Sequence, residues 1–187
     1  MEDAISANAS FKDVDVWWQD EARVGQQGTI TRLWSPKGTR PRAIRQQQFE
    51  YAYIYGAVCP SRDLGVALVL PVANSEAMNL HMEEISKKTD PGRIAIVIMD
   101  QAGWHTSNKL KKFENVIPIM LPPYSPELNP VEQVWKQLRE DSLANRCFEN
   151  YEDIIQSCAK AWNKFTGVVD NVRSLCSREW ANLANNL

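Results

Sequence analysis

Three acidic residues stand at the ends of predicted secondary-structure elements, where a fold can bring distant side chains together. Asp20 ends a stretch of alternating apolar and polar residues that starts at Val14, the pattern of a half-buried strand. Asp100 follows residues 94–99, an unbroken apolar run typical of a strand buried on both faces. Glu132 lies in the first turn of a predicted helix. Asp100 therefore sits where α/β folds bind their ligands, outside the carboxyl end of a core strand.

Carboxylates of this kind predict a site for hard divalent cations. Oxygen ligands select Mg²⁺ or Mn²⁺. Two such ions about 4 Å apart can stabilise both the attacking and the leaving oxygen of a phosphoryl displacement. Three carboxylates from separate parts of the chain would be enough to hold two such ions, provided that the fold brings the three side chains together.

The helix that carries Glu132 has a clear start in the sequence. Asn129 is a favourable N-cap and Pro130 suits the first helical position. The apolar residues that follow recur with the spacing of a helix packed on a core, and they are Val131, Val134, Trp135 and Leu138.

Each acid also has a structural alternative. Glu132 lies three residues after Asn129 and could complete a capping box. Asp100 could cap the turn that follows its strand. Asp20 could be a surface acid paired with Arg23. The residues alone leave these alternatives open.

Composition restricts the class of protein. The chain has 187 residues, 44% hydrophobic and 24% charged, which is typical of a soluble globular domain. Neither a membrane-length apolar run nor a signal peptide is evident in the sequence, so a cytoplasmic protein is expected. The four cysteines lack zinc spacing and are interpreted as reduced core thiols. The net charge of −2 is unlike that of a free-standing DNA-binding module.

Basic residues are nevertheless concentrated locally. Residues 22–49 contain no acid and six bases, which predicts either a phosphate-contacting surface or a solvated hairpin edge. His105 could orient a phosphate or a water, or be a structural group. The full set of candidate DNA contacts is Arg23, Arg32, Lys37, Arg40, Arg42, Arg45, His105, Lys109, Lys111, Lys112, Lys136 and Arg139.

The remaining pattern predicts an α/β protein whose mixed sheet carries helices on both faces. Further strands are predicted at 29–34, 51–58, 65–72 and 116–121. Helices are predicted at 75–87, from 106 or 107 to 113, and twice after residue 150.

Two sequence blocks resemble a known family. Residues 99–105 read Met-Asp-Gln-Ala-Gly-Trp-His, and residues 121–135 read Leu-Pro-Pro-Tyr-Ser-Pro-Glu-Leu-Asn-Pro-Val-Glu-Gln-Val-Trp. Together with Gln-Asp-Glu-Ala-Arg at 19–23 and Trp-Ser-Pro-Lys-Gly at 34–38, they resemble the catalytic core of DDE transposases of the mariner-related bacterial insertion-sequence family. The resemblance covers roughly residues 14–145.

This resemblance implies an RNase H-like fold with a mixed central sheet of about five strands and C-terminal helices. It implies that Asp20, Asp100 and Glu132 are catalytic residues and hold two divalent ions, Mg²⁺ or Mn²⁺. The implied reaction is DNA strand cleavage at a transposon end, followed by transfer of the freed 3′ hydroxyl to target DNA. The implied partners are DNA and, as a further option, a second copy of the chain; no membrane partner is expected. The resemblance also implies a bacterial protein that joins the nucleoid when bound to DNA.

The chain departs from the family pattern at two points. Gln101 replaces the usual Asn after the second aspartate, which keeps the amide. The family normally carries helix-turn-helix modules before the catalytic domain, whereas residues 1–13 read as a polar lead-in to a single catalytic domain at 14–187. End recognition is therefore expected from another polypeptide or from the upstream part of a longer, frameshifted product; the third alternative is a remnant that lacks it. The alternatives are a non-catalytic, transposase-derived nucleic-acid-binding protein and a general RNase H-like nuclease.

Overall fold

A five-stranded mixed sheet forms the centre of the molecule. The computed structural model describes residues 13–28, 34–39, 46–105 and 107–177. The strands are β1 (Val14–Gly25), β2 (Tyr51–Cys59), β3 (Leu64–Leu70), β4 (Ile94–Met99) and β5 (Val116–Met120). Their order is β3-β2-β1-β4-β5. The pairs β1–β2 and β2–β3 are antiparallel, whereas β1–β4 and β4–β5 are parallel. The predicted mixed sheet of five strands is confirmed.

Helices cover both faces of this sheet. They are α1 (Ser75–Lys88), α2 (Val131–Leu138), α3 (Tyr151–Thr166) and α4 (Asn171–Cys176). Within the described part of the chain, no helix is long and apolar enough to cross a membrane. Alternate residues of each central strand enter opposite cores: Trp18 and Ile98 pack with α2 and α3, and Trp17 and Val97 pack with α1.

Helix α2 docks through the apolar stripe that its sequence predicts. Val131, Val134, Trp135 and Leu138 are all buried. The helix begins at Val131, one residue later than expected, and Pro130 is its N-cap residue. The Asn129 side chain still accepts a hydrogen bond from the Val131 N–H at 3.2 Å. After Leu138 the chain continues as a π-helix, Arg139–Leu143.

Two local predictions are wrong. Residues 107–113 form turns and a β-bridge rather than a helix. The Asn79 side chain on α1 donates to the Lys109 carbonyl at 3.0 Å and accepts from the Lys111 N–H at 2.8 Å, so a tertiary contact overrides helix propensity here. Strand β1 also continues past Asp20 to Gly25, because β2 pairs with it along its whole second half.

Other expectations have mixed outcomes. The predicted strand at 29–34 lies outside the described residues except for Trp34, which is not in a strand. Three of the cysteines are buried, but Cys147 is exposed, so the prediction of a core thiol is wrong there.

Gly56 gives a test of how closely α2 packs on the sheet. A Cβ added at Gly56 would lie 2.5 Å from the Trp135 ring and 3.0 Å from the Trp162 ring. Because both rings are held in the core, Gly56→Ala should lower the free energy of unfolding by about 1–3 kcal/mol, measured by urea denaturation. Gly103→Ala is the matched control, since a Cβ there meets no described atom within 4 Å. Equal stability of the two variants would contradict this packing.

Candidate active site

Asp20 and Asp100 emerge side by side from neighbouring parallel strands. Trp18 of β1 pairs with Ile98 of β4, and each aspartate lies two residues further along the chain. Asp20 is still within β1, and Asp100 is the first residue after β4. Residues two apart on a strand point to the same face, and neighbouring strands lie about 4.8 Å apart. Asp20 is therefore within β1 rather than at its end as predicted, but it lies level with the end of β4.

Helix α2 is fixed to β1 on either side of Glu132. The Asn129 side chain donates to the Gln19 carbonyl at 2.8 Å, just before the helix. One turn into the helix, the Trp135 indole N–H donates to Asp20 Oδ2 at 2.8 Å. Residues three apart share a helix face, so Glu132 is held on the side of α2 that carries Trp135.

The three carboxylates line one cleft of about 440 Å³. Its other walls are the loop after β4 and the proline-rich loop before α2: Gln101, Ala102, Leu121, Pro122, Pro123, Tyr124, Ser125, Pro126 and Asn129. The Gln101 side chain donates to the Leu121 carbonyl at 2.9 Å and ties these loops together. The amide that replaces the usual Asn therefore shapes the cleft.

Asp20 is the carboxylate of this cleft whose ionisation is most clearly altered by its surroundings. Burial raises the pKa of Asp20 to about 7; the Trp135 hydrogen bond opposes this, and the negative charges of Glu132 and Glu21 add to it. Asp20 ionises only with difficulty in the metal-free protein. A nearby cation would stabilise its ionised form.

These residues fit a divalent cation by their chemistry. They are oxygen donors from three separate elements, and Glu132 repels charge on Asp20. Across the ranges that the structure describes, no three His, Cys, Asp or Glu side chains are close enough to share one ion. Two ions need fewer protein ligands each, because water and substrate phosphate complete the coordination of Mg²⁺.

The Asp20 pKa predicts an unusual dependence of stability on pH. The folded pKa lies above the ordinary value of 3.8, so the folded state holds a proton that the unfolded state releases. This contribution to stability is complete below pH ~4 and is lost as the pH rises through 7. The free energy of unfolding should fall by up to ~1.4 kcal/mol per pH unit in that window.

Asp20→Asn is the matched control for this titration, because its amide oxygen can still accept the Trp135 hydrogen bond. We expect urea denaturation without metal to show a steeper loss of stability between pH 5 and 7 in the wild type than in Asp20→Asn. Parallel pH profiles would contradict the raised pKa.

The structural alternatives have different outcomes. A capping box is excluded for Glu132, because the Asn129 N–H that it would accept from donates to the Pro126 carbonyl at 2.9 Å. Asp100 does cap its turn, since Oδ1 accepts from the Ala102 N–H at 2.9 Å. Asp20 bonds Trp135, whereas Arg23 lies over the Tyr51 ring at 4.2 Å.

His105 is a buried structural group in this site. Its side chain is 0% exposed, which is incompatible with the predicted contact to DNA. Nε2 lies 2.9 Å from Glu21 Oε1, and Nδ1 lies 3.0 Å from the Asp100 carbonyl oxygen. Burial alone would lower the pKa of His105, but the hydrogen bond and charge of Glu21, together with Asp100, raise it above its usual value.

None of the remaining candidate DNA contacts that the structure describes lines the cleft. Arg23 and Arg139 line a second cleft, and Tyr51 also lines it. Lys136 is exposed on α2, and Lys37 is exposed within 34–39. Exposed lysines beside α1 are Lys109, Lys111 and Lys112. Arg32, Arg40, Arg42 and Arg45 lie outside the described residues.

Sequence reasoning missed several residues of the site. Glu21 and Gln19 alternate with Asp20 on β1 and face the other core, so a search for clustered acids passes over them. Trp135 was assigned only to the core, although its indole N–H binds Asp20. Tyr124 is fully exposed at the rim with a left-handed backbone (φ 57°), which is uncommon for a residue with a side chain. The available signal in the sequence was an aromatic residue within the proline-rich segment 122–126.

A sequence comparison identifies the family. A family model described as DDE superfamily endonuclease matches residues 15–155. An uncharacterized protein of Sinorhizobium fredii, y4pE/y4sA, is 49% identical over 131 residues, which are 70% of this chain and 97% of that protein.

Solved structures share the fold. The Mos1 mariner paired-end complex with Mn matches 89% of this chain and 52% of its own, with a TM-score of 0.64 and 14% identity. The catalytic core domain of BIV integrase matches 81% of this chain and 82% of its own, with a TM-score of 0.50 and 13% identity. The chain thus spans about half the length of the Mos1 chain, and the predicted RNase H-like fold is confirmed.

Proposed function

The chain belongs to the DDE superfamily of endonucleases, and from this premise we propose that it is a transposase catalytic domain that cuts and joins DNA with divalent metal ions. Asp20, Asp100 and Glu132 are the proposed ligands for Mg²⁺ or Mn²⁺. The family and the cleft together support this function over a purely structural role for the three acids.

One observation carries the proposal. Three carboxylates from β1, the end of β4 and α2 line the same cleft, although they are separated by 80 and 32 positions in the chain. Burial and the charge of Glu132 raise the Asp20 pKa to about 7. A carboxylate with a perturbed pKa in a cleft, such as Asp20, is typical of functional sites. Folding stability alone gives no reason to gather them there.

The side chains of the cleft have distinct roles in this proposal. When bound, the ions activate the attacking hydroxyl or water and stabilise charge on the leaving 3′ oxygen. Trp135 holds Asp20 Oδ2, and the Ala102 N–H holds Asp100 Oδ1. Each aspartate therefore keeps one oxygen in a set position. Glu132 accepts no hydrogen bond from the described residues and is available to a ligand.

The partners follow from the same reasoning. We propose DNA as the substrate, with exposed Lys136, Arg139 and Arg23 contacting phosphates beside the cleft. Phosphate contacts of this kind position DNA without reading its sequence. Recognition of transposon ends is assigned to a helix-turn-helix segment upstream or on another chain, and a homodimer would bring two ends together.

Nicking of supercoiled plasmid DNA tests the function. We expect relaxed circles to form with Mg²⁺ or Mn²⁺ and none with EDTA. Plasmids with and without terminal repeats separate a transposase from a general nuclease, which would cut both equally. DNA binding without metal-dependent nicking would overturn the proposal in favour of a non-catalytic binding protein.

A further inference from the structure

A buried polar chain reaches Asp100 from the face of the sheet opposite the cleft. Successive residues of a strand point to opposite faces, so Glu21 leaves β1 away from Asp20. Its side chain is only 7% exposed. Glu21 Oε1 accepts from the Gln19 side chain at 2.9 Å and lies 2.9 Å from His105 Nε2. Among the described residues, Glu21 forms no ion pair with a lysine or arginine.

His105 links Glu21 to Asp100 through its two ring nitrogens. Its Nδ1 lies 2.7 Å from Asp100 Oδ1 and 3.0 Å from the Asp100 carbonyl oxygen. Its backbone N–H donates to the Ala102 carbonyl at 2.8 Å, which closes the loop after β4. Both ring nitrogens therefore face oxygen atoms, and these contacts at both ends restrict rotation of the ring.

Asp100 needs this support because of where it lies. Its side chain is 55% exposed, and an exposed aspartate can occupy several staggered rotamers. Because Oδ1 accepts from the Ala102 N–H and lies 2.7 Å from His105 Nδ1, fewer orientations are open to the carboxylate. Oδ2 then remains for a ligand in the cleft.

We propose that Glu21, acting through His105, is a positioning residue that orients the Asp100 carboxylate for metal binding. This inference rests on the proposed function, because it assigns Asp100 a metal. Mutation of a residue that orients a metal ligand typically lowers metal affinity or activity 10–100-fold. Glu21 does not touch the cleft, so its effect must pass through His105.

Glu21→Gln tests the proposal with little change of shape. The amide oxygen can still accept from His105, but the hydrogen bond is no longer charge-assisted. We expect calorimetry to show Mn²⁺ affinity lowered about 10–100-fold. The plasmid-nicking rate should fall at low Mn²⁺ and recover at high Mn²⁺, while KM for DNA stays unchanged. His105→Gln should have the same effect, and the double variant should add little to either.

Asp15→Asn is the matched control on the same strand. Asp15 is also buried and is paired with Arg93 at 2.7 Å, but at the other end of β1. We expect this variant to lose stability without a change in the Mn²⁺ dependence of nicking, because among the described residues Asp15 has no hydrogen bond or ion pair with Asp100 or His105.

The outcomes separate this inference from the proposed function. Wild-type protein that neither binds Mn²⁺ nor nicks DNA would overturn both. Wild-type activity together with unchanged Mn²⁺ affinity in folded Glu21→Gln would overturn the positioning role alone, as would a change confined to KM for DNA. If Glu21→Gln does not fold, His105→Gln decides by the same criteria.

Discussion

Asp100→Asn is expected to abolish DNA strand cleavage while the fold remains intact. The asparagine oxygen can replace Oδ1 as acceptor for the Ala102 N–H, and His105 Nδ1 keeps the backbone carbonyl of residue 100 as its partner, so the loop after β4 keeps its hydrogen bonds. The negative charge that would bind a cation is lost. Since loss of a residue that merely orients a ligand costs 10–100-fold, loss of the ligand itself should lower the rate by more than ~10³-fold.

The measurement is a time course of plasmid nicking in Mg²⁺, with circular dichroism to confirm folding. Asp141→Asn is the matched control, because Asp141 is an exposed aspartate of the π-helix after α2, outside the cleft. It should nick at the wild-type rate. Nicking that survives in folded Asp100→Asn would contradict the assignment of this residue.

Glu132→Gln is expected to remove activity to a similar degree without a loss of stability. The structure excludes a capping box, and no described residue donates a hydrogen bond to this carboxylate. Its charge raises the pKa of Asp20, so its removal relieves repulsion in the metal-free protein. The free energy of unfolding should stay the same or rise slightly, whereas loss of a cap would lower it by about 1 kcal/mol.

Urea denaturation and plasmid nicking, both run on the same preparation, measure the two effects. Glu127→Gln is the control, since Glu127 is exposed in the turn just before α2 and does not line the cleft. An active Glu132→Gln protein of reduced stability would mean that this glutamate has a structural role.

The elements that carry the acids were predictable because their signals are local. The apolar run of residues 94–99 became β4, and the stripe that includes Val131 and Trp135 became the buried side of α2. Both patterns report which side chains are buried, and burial follows from the period of the element. These two elements could be anticipated for this reason, whereas the count of five strands came from the family resemblance and Asp20 lies within β1 rather than at its end.

The contacts between these elements could not be predicted from local pattern. The pairing of Trp18 with Ile98 joins residues far apart in the chain, and it alone sets Asp20 beside Asp100. The failed helix at 107–113 has the same cause, because Asn79 binds that segment from another element. His105 gave no sign of its burial, since a single histidine has no periodicity.

Anomalous diffraction from crystals soaked in Mn²⁺ tests the central claim most directly. If Asp20, Asp100 and Glu132 are metal ligands, Mn²⁺ peaks should lie in the cleft that these three residues line, with two peaks about 4 Å apart at full occupancy. Each carboxylate should lie about 2.1 Å from a peak. A map with no peak in this cleft, at Mn²⁺ concentrations that support nicking, would contradict the assignment of all three ligands.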